Sequence, residues 1–416
     1  MIHQPPSGAR DLLPLDVAQK RWIEKRLRPV FQQWGYHRII TSTVERLDTL
    51  MAGGTIQQST VIQLEDREDD IPLGLRPELT ASIARAAVTR MAESSYPLRL
   101  YYNGNVFRRS PEVGHGGQQE FFQAGVELLG AGGLLADAEI LLLLFNSLHS
   151  LGLNQWQIIL GEAGLTASLL SPFPEPLRRK IREAIAHLDR LTLETLPMSS
   201  EQRERALLLF DLRGKPEDVL QKVASLPLDP AQQTSLENLK SLVDLLKESS
   251  SCNQTSAPGT DALILDLSLI RPFDYYTGII FEVVNNTPSG QQILGQGGRY
   301  DQLLSLYHPE GTMIPGIGFC FNIEGLHRVL RSTGQLPQQT PPTQYLVAPK
   351  VPQAQAAAFT FAQTLRQSGE NGQVVRVEMN LEAGQTEETV RDYARSRQIR
   401  QIAWVSPDST AELETV

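Results

Sequence analysis

Apolar positions at Val17, Trp22, Ile23, Leu27, Val30, Phe31 and Trp34 recur near the 3.6-residue period and predict a helix over residues 17–34. GYHRIITSTVE, directly after it, reads as a turn into a strand. LGLRPELTASIARAAVTRMAE reads as the end of a strand leading into a helix, with Thr80 near the helix start. LRLYYNGNVFRR and QEFFQAGVELLG are rich in strand-forming residues and flank a glycine-rich stretch, which predicts an antiparallel hairpin. Residues 134–151 carry the pattern of a buried helix. From about 165 to 250 the chain is polar and helical, with Leu and Ala repeats broken by Pro, as expected of an all-helical insertion.

β-rich sequence returns with ALILDLS and DYYTGIIFEVV, and IPGIGFCFNIEGLHRVL reads as a strand entering a helix. SSSCNQTSAPGT, residues 249–260, has the composition of a linker, and GQLPQQTPPTQ, residues 334–344, is the stronger boundary. Beyond it YLVAP, a helix at 353–368, VVRVEM, a helix at 386–397 and QIAWVS predict a small β-α-β-α-β unit. The expected organisation is one domain over residues 1–333, carrying the insertion at about 165–250, and a small α/β domain over 345–416. There is no internal repeat.

Composition narrows the classes. The 416 residues are 41% apolar and 20% charged, ordinary for a soluble globular protein, and the net charge of −9 argues against a large nucleic-acid face. Cys252 and Cys320 stand far apart with no CxxC, which fits a reducing compartment without a disulfide framework or thiolate metal site. The seven histidines are scattered, so no structural metal is expected. MIHQPPSGARDLLP lacks a charged segment followed by an apolar one, and the longest apolar run, ILLLLF at 140–145, is far shorter than a membrane span. A cytoplasmic protein is expected.

Candidate chemistry gathers in FRRSPEVGHGGQQEFFQAGVE, residues 107–127. Two arginines open it, a glycine-rich loop without Lys or Arg follows, and a strand-like stretch closes it. On that strand Gln123 and Glu127 are four apart and share one face. GQGGRYDQ, residues 295–302, has neither the GK[ST] ending nor the strand–GxGxxG–helix setting of a nucleotide loop. Its glycines are read as a close approach of backbone to a pocket.

GARDLLP, LRPELT, the hairpin with FFQAGVE, IRPFDYYTGIIFEV and GGRYDQL occur in one order and at suitable separations. Together they resemble histidyl-tRNA synthetase over nearly the whole chain, with a shortened form of that family's C-terminal anticodon-binding domain. The resemblance implies an α+β fold of the class II aminoacyl-tRNA synthetase type, an antiparallel sheet flanked by helices, dimeric through its first motif. It also implies an amino-acid pocket made of Glu78, Thr80, Arg108, Gln123, Glu127, Arg271, Tyr275 and Tyr276. These types suit free histidine: Glu78, Thr80 and Gln123 accept from the ammonium, Glu127 and Tyr276 meet the imidazole N–H groups, and Arg271 meets the carboxylate. Ordinary structural roles are open to several of them. Glu78 also suits a helix start, and Tyr275 and Tyr276 also suit strand positions whose alternation puts one ring in the core.

The phosphate side of the resemblance is depleted. The family's second motif runs Phe-Arg-x-Glu with further arginines across the loop; here Arg108 remains, Ser110 displaces the Glu, and the loop reads Gly117 and Gln119. The third motif's Glu-Arg pair reads Glu324 and Gly325, and the first motif's Pro is Ser42. Adenylation gathers negative charge on phosphates in its transition state and depends on preorganised cations, each donor being worth about 10²–10³ in rate. Arg109 is a possible substitute, although on an alternating strand it points away from Arg108. In the C-terminal unit Arg391, Arg395, Arg397 and Arg400 lie on or beside a helix of mixed charge, more typical of a solvated face than a tRNA surface.

A synthetase-like chain that keeps the amino-acid side and loses the phosphate side resembles the regulatory subunit of two-component ATP phosphoribosyltransferase. That resemblance implies no chemistry of its own and no cofactor. It implies assembly, as a homodimer within a hetero-oligomer, with a short-form catalytic subunit at the first step of histidine biosynthesis. L-Histidine would act as feedback inhibitor, with tRNA and membrane not expected as partners. The competing readings are an active histidyl-tRNA synthetase with a divergent ATP site, and a free-standing histidine sensor.

Overall fold

The computed structural model describes residues 5–6, 8–54, 56–64, 71–109, 118–153, 155–252, 262–269, 275–287, 290–369, 373–382 and 384–416. Arg271, the loop positions Ser110 and Gly117, and linker residues 253–260 lie outside them. The chain divides into two compact units, one of residues 1–12 and 19–336, the other of residues 13–18 and 337–416.

Helix α1 (Pro14–Gln33), in the larger unit from Gln19 onward, buries Ile23, Leu27, Val30 and Phe31, the apolar stripe of its sequence. GYHRIITSTVE forms two short strands instead of one, β1 (His37–Arg38) and β2 (Val44–Arg46), which enter different sheets. The buried Arg76 supplies the reason. Its Nη1 donates to the carbonyls of Thr41 at 2.9 Å and Ser42 at 3.0 Å, so a guanidinium occupies acceptors that a neighbouring strand would use. After α2 (Leu47–Leu50), β3 (Ile62–Leu64) and β4 (Leu73–Leu75) complete a three-stranded sheet in the order β2-β4-β3. Helix α3 (Thr80–Thr89) follows.

The hairpin forms as its pattern predicts: β5 (Leu98–Phe107) and β6 (Glu120–Leu129) pair antiparallel from Leu98↔Leu129 to Phe107↔Glu120. Helix α4 (Leu134–Ser150) is buried along most of its length, and β7 (Trp156–Glu162) leads into the helical segment. That segment comprises α5 (Ala163–Leu170), α6 (Glu175–Ala186), α7 (Arg190–Thr195), α8 (Ser200–Phe210), the short β8 (Arg213–Gly214), α9 (Pro216–Ala224) and α10 (Pro230–Cys252). It is continuous with the main core: Leu169, Ile181, Leu193, Val219 and Leu242 belong to the same apolar cluster as Phe31, Val126 and Phe319. The expected linker begins inside α10, which runs to Cys252.

Strands β9 (Leu263–Asp266), β10 (Ile279–Thr287), β11 (Gly290–Arg299) and β12 (Gly316–Asn322) complete a nine-stranded sheet in the order β1-β5-β6-β12-β11-β10-β7-β9-β8, and α11 (Ile323–Ser332) follows. The class II-like sheet is therefore mixed, because β1 runs parallel to β5 and β7 parallel to β9, while its other pairs are antiparallel. Both parallel pairs join strands separated by helical connections, as parallel pairing requires. Alternation gives the sheet two unlike faces. Tyr101, Ala124, Val126, Phe319 and Phe321 enter the cluster beneath α1, whereas Leu100, Tyr102 and Tyr300 join α3 on the other side.

In the smaller unit β13 (Tyr345–Pro349) runs parallel to β14 (Val377–Met379) and β15 (Gln401–Val405), with α12 (Gln355–Gln367) and α13 (Glu387–Ser396) between strands. A fourth strand not foreseen from the sequence, β16 (Ala411–Thr415), adds antiparallel to β15. Its AELET sequence carries little apolar signal. Glu414 ties it down, accepting from Trp404 Nε1 and Arg391 Nε, both at 2.7 Å. Arg391 and Arg395 pair with Glu387, Glu388 and Asp392, so these α13 arginines are spent on local ion pairs, as the mixed-charge pattern suggests.

Candidate functional site

The face of the sheet opposite α1 holds a narrow pocket, about 30 Å³ in cavity volume, lined by residues of β5, β6, β11 and β12, the start of α3 and the segment before β10. Seven of the eight expected residues line it: Glu78, Thr80, Arg108, Gln123, Glu127, Tyr275 and Tyr276. Arg271, the eighth, is outside the described residues.

Gln123 and Glu127 face the pocket because they occupy alternate positions of β6, with Gly125 between them. A Cβ on Gly125 would come within 2.7 Å of the Tyr102 hydroxyl, so the glycine admits that side chain from β5. Gly318, paired with Glu127 across β12, does the same for the carboxyl: a Cβ there would overlap Glu127 Oε2. Gly298 leaves room for the Tyr276 ring, whose Cδ1 would lie 2.7 Å from an added Cβ. The glycines of GQGGRYDQ thus do bring backbone close to the pocket.

Two buried carboxyls define the site's electrostatics. Glu127 is 1% exposed, and its oxygens accept from Thr80 Oγ1 at 2.8 Å and from the Tyr300 hydroxyl. Burial pushes it up to about 8 despite those donors. Glu78 takes the backbone N–H of Thr80 at 2.6 Å and of Ala81 at 2.8 Å, so it caps α3, and burial raises it as well. Its helix-start role and its pocket position coexist. Thr80 Oγ1 donates to Glu127 and so connects the two carboxyls of the pocket, with its lone pairs still able to accept.

Tyr275 and Tyr276 precede β10 and do not follow strand alternation, and both rings reach the pocket wall, 4.6 Å apart between centroids. Both rings also pack against the apolar cluster under α3, on the same face of the sheet. Arg108 lies past the end of β5 and donates through Nε to the Pro77 carbonyl at 2.9 Å, next to Glu78. It is the one basic side chain among the described residues of the lining. Sequence reasoning missed Tyr102, Gln296, Tyr300 and Cys320, which with Gly297, Gly318 and Phe319 complete the lining. Tyr300 stood inside a quoted motif, and the β5–β6 register, with Tyr102 opposite Gly125, is the signal for Tyr102.

On the neighbouring side, Glu324 opens α11 and accepts from the Phe122 backbone N–H at 3.1 Å. Gly325 occupies the position of the resembled family's arginine, and a Cβ on it would lie 3.1 Å from the Ile293 carbonyl. An arginine there needs β11 to move. Arg109 is exposed, beyond the end of β5. Two other cations approach this side: Arg10, more than half exposed and 3.9 Å from Glu324, and Lys20, bonded to Glu24 and stacked 4.0 Å above the Phe122 ring. Each is held by a carboxylate of the chain itself. Among the described residues no group of His, Cys, Asp and Glu is arranged to hold a metal, and no helix is long and apolar enough to cross a membrane.

The histidyl-tRNA synthetase family model matches residues 8–326. ATP phosphoribosyltransferase regulatory subunits of Nostoc punctiforme and Cyanothece sp. are 61% and 58% identical to the chain, each match covering both sequences entirely. A solved structure described as an ATP phosphoribosyltransferase regulatory subunit/histidyl-tRNA synthetase from Bacillus halodurans superposes with a TM-score of 0.80 at 26% identity, covering 98% of this chain and 99% of that one. Histidyl-tRNA synthetase from Nostoc sp. gives 0.79 at 21% identity over 99% and 94%, a likeness of fold. The relatives carry the regulatory subunit's name, not that of a catalytic enzyme. With a histidyl-tRNA synthetase-like fold and relatives of that name matching over its full length, the chain belongs to the ATP phosphoribosyltransferase regulatory subunits.

Proposed function

We propose that this regulatory subunit binds L-histidine in the pocket around Glu127, assembles with a short-form ATP phosphoribosyltransferase catalytic subunit that requires it for activity, and transmits feedback inhibition by histidine to that subunit. The observation that carries the reading is the contrast within one ancestral centre. Glu78, Thr80, Gln123, Glu127, Tyr275 and Tyr276 line a buried pocket, while Gly325 fills the position where a phosphate-binding arginine would stand. The polar lining offers acceptors and donors for each group of a zwitterionic amino acid, with Arg271 assigned to the carboxylate. A cytoplasmic homodimer within a hetero-oligomer, without tRNA, is the assembly this reading takes.

Regulation then reduces to linkage. Histidine shifts the complex toward whichever arrangement binds it more tightly, by no more than the difference in affinity. Reconstitution tests the proposal. The short catalytic subunit alone should show little phosphoribosyl transfer, addition of this chain should restore it, and histidine should then inhibit. Inhibition that persists unchanged in Glu127→Gln places the effector elsewhere.

A further inference from the structure

We propose that Tyr300 is a positioning residue that holds Glu127 ready to pass its proton to the ring of a bound histidine, so that the occupied pocket carries an imidazolium paired with the Glu127 carboxylate. The inference rests on the histidine reading above and adds the protonation state of the complex.

Tyr300 is fixed from several sides. Its ring is 2% exposed, stands edge-on to Tyr275 with centroids 6.0 Å apart, and packs where a Cβ on Gly316 would overlap it. Its backbone N–H donates to the Gly316 carbonyl at 2.7 Å. The flanking residues are pinned as well: Arg299 Nε donates to Asp137 at 2.9 Å, and the Asp301 N–H donates to Thr277 Oγ1 at 2.9 Å. The hydroxyl therefore has one direction open to it, toward Glu127 Oε2, which it bonds.

The surroundings of Glu127 are acids, phenols and a thiol. Glu78 stands behind Thr80 at the start of α3, Tyr102 comes from β5, Tyr275 and Tyr276 from the segment before β10, and Cys320 from β12. Tyr36 lies on the far face of the sheet, with Glu139 and Arg99. Arg108 is bonded to the Pro77 carbonyl and acts on Glu78. Glu127 thus has hydroxyl donors on both oxygens and no bonded cation among the described residues. A buried carboxylate in such a place is completed by a positive partner, and a basic ring nitrogen of the ligand can become one. The O–H bond of Glu127 breaks, an N–H bond forms on the ring, and the summed charge of pocket and ligand is unchanged. Of the four or so lone-pair sites of a carboxylate, Tyr300, Thr80 and Tyr102 use three, which leaves one for the ring N–H.

The linkage has a definite form. Imidazole ordinarily titrates near 6.5, and burial pushes the Glu127 carboxyl up to about 8. Between those values the separated pocket and ring hold one proton together, as the complex does, so binding exchanges none. Below about pH 6.5 both partners arrive protonated, one proton must leave, and affinity falls with falling pH. Above about 8 neither carries the proton, one must be taken up, and affinity falls with rising pH.

The test combines ring-15N histidine, observed by NMR on the full chain at about pH 7.2, with calorimetry in two buffers of unlike ionisation heat. Two protonated ring nitrogens and a buffer-independent heat are expected. A bound ring with one unprotonated nitrogen, or net uptake of about one proton, overturns the inference while leaving the histidine pocket in place. Absence of any binding heat overturns both. Tyr300→Phe should bind about tenfold more weakly, for loss of a hydrogen bond to a charged group. It should move the alkaline limb upward, because Glu127 loses a donor that favours its carboxylate. Wild-type affinity, ring signal and pH profile in that variant would refute the positioning role, and the wild-type NMR measurement decides the proton's place even if the variant does not fold.

Discussion

Thr80 Oγ1 donates to Glu127 Oε1 at 2.8 Å and so joins the first residue of α3 to the middle of β6, 47 positions later in the chain. Thr80→Val keeps the side chain's size and removes this donor. Histidine affinity measured by calorimetry should fall about tenfold or more, in the range of a lost hydrogen bond to a charged group. The melting temperature should move little, because Glu78 still caps the helix through the backbone N–H groups of Thr80 and Ala81.

Glu127 should also set a pH dependence of stability. Burial raises it from 4.5 to about 8, so the folded protein keeps a proton that the unfolded chain releases. Stability contributed by this group is present below about pH 4.5 and is lost as pH rises through about 8. At about 1.4 kcal/mol for each tenfold in proton affinity, the loss is on the order of 5 kcal/mol by pH 9. Urea unfolding across this range should show the decline in the wild type, and Glu127→Gln should flatten it while weakening histidine binding.

Gly318→Ala tests the packing that makes the carboxyl possible. An added Cβ meets Glu127 Oε2 and the Val126 carbonyl, so the variant should lose about 1–3 kcal/mol by overpacking. Its histidine binding should fall below detection in calorimetry, provided circular dichroism confirms a folded chain.

Cys320 sits half-buried in the wall of the same pocket. Histidine should therefore slow its alkylation. Iodoacetamide labelling with peptide mass mapping should show protection at Cys320 that increases with histidine concentration and is missing in Glu127→Gln.

Much of the pocket was legible because strand periodicity and motif order fix which residues share a face. Gln123 and Glu127, four apart on a strand, could not face opposite ways, and the LRPELT segment had to place Glu78 and Thr80 at a helix start. What was not legible depended on contacts distant in sequence. The break between β1 and β2 comes from Arg76, some 35 residues onward, and no local pattern announces it. Tyr275 and Tyr276, placed in the pocket by the motifs, also suited strand positions that send one ring to the core, and only the irregular backbone before β10 brings both rings to the pocket. β16 is a mostly polar strand held by Glu414, Trp404 and Arg391, and an apolar pattern could not reveal it. The mixed character of the large sheet follows from how helical connections return the chain, a property of topology that periodicity does not carry.

Histidine-dependent exchange of pyrophosphate into ATP decides whether the centre binds an amino acid without activating it. The wild-type chain should bind histidine by calorimetry and show no exchange above background. Gly325→Arg alone should not restore exchange, because its Cβ crowds the Ile293 carbonyl at 3.1 Å. Robust exchange by the wild-type chain would mean that Arg10, Lys20 or other side chains supply the missing phosphate contacts, and would contradict a regulatory pocket stripped of its chemistry.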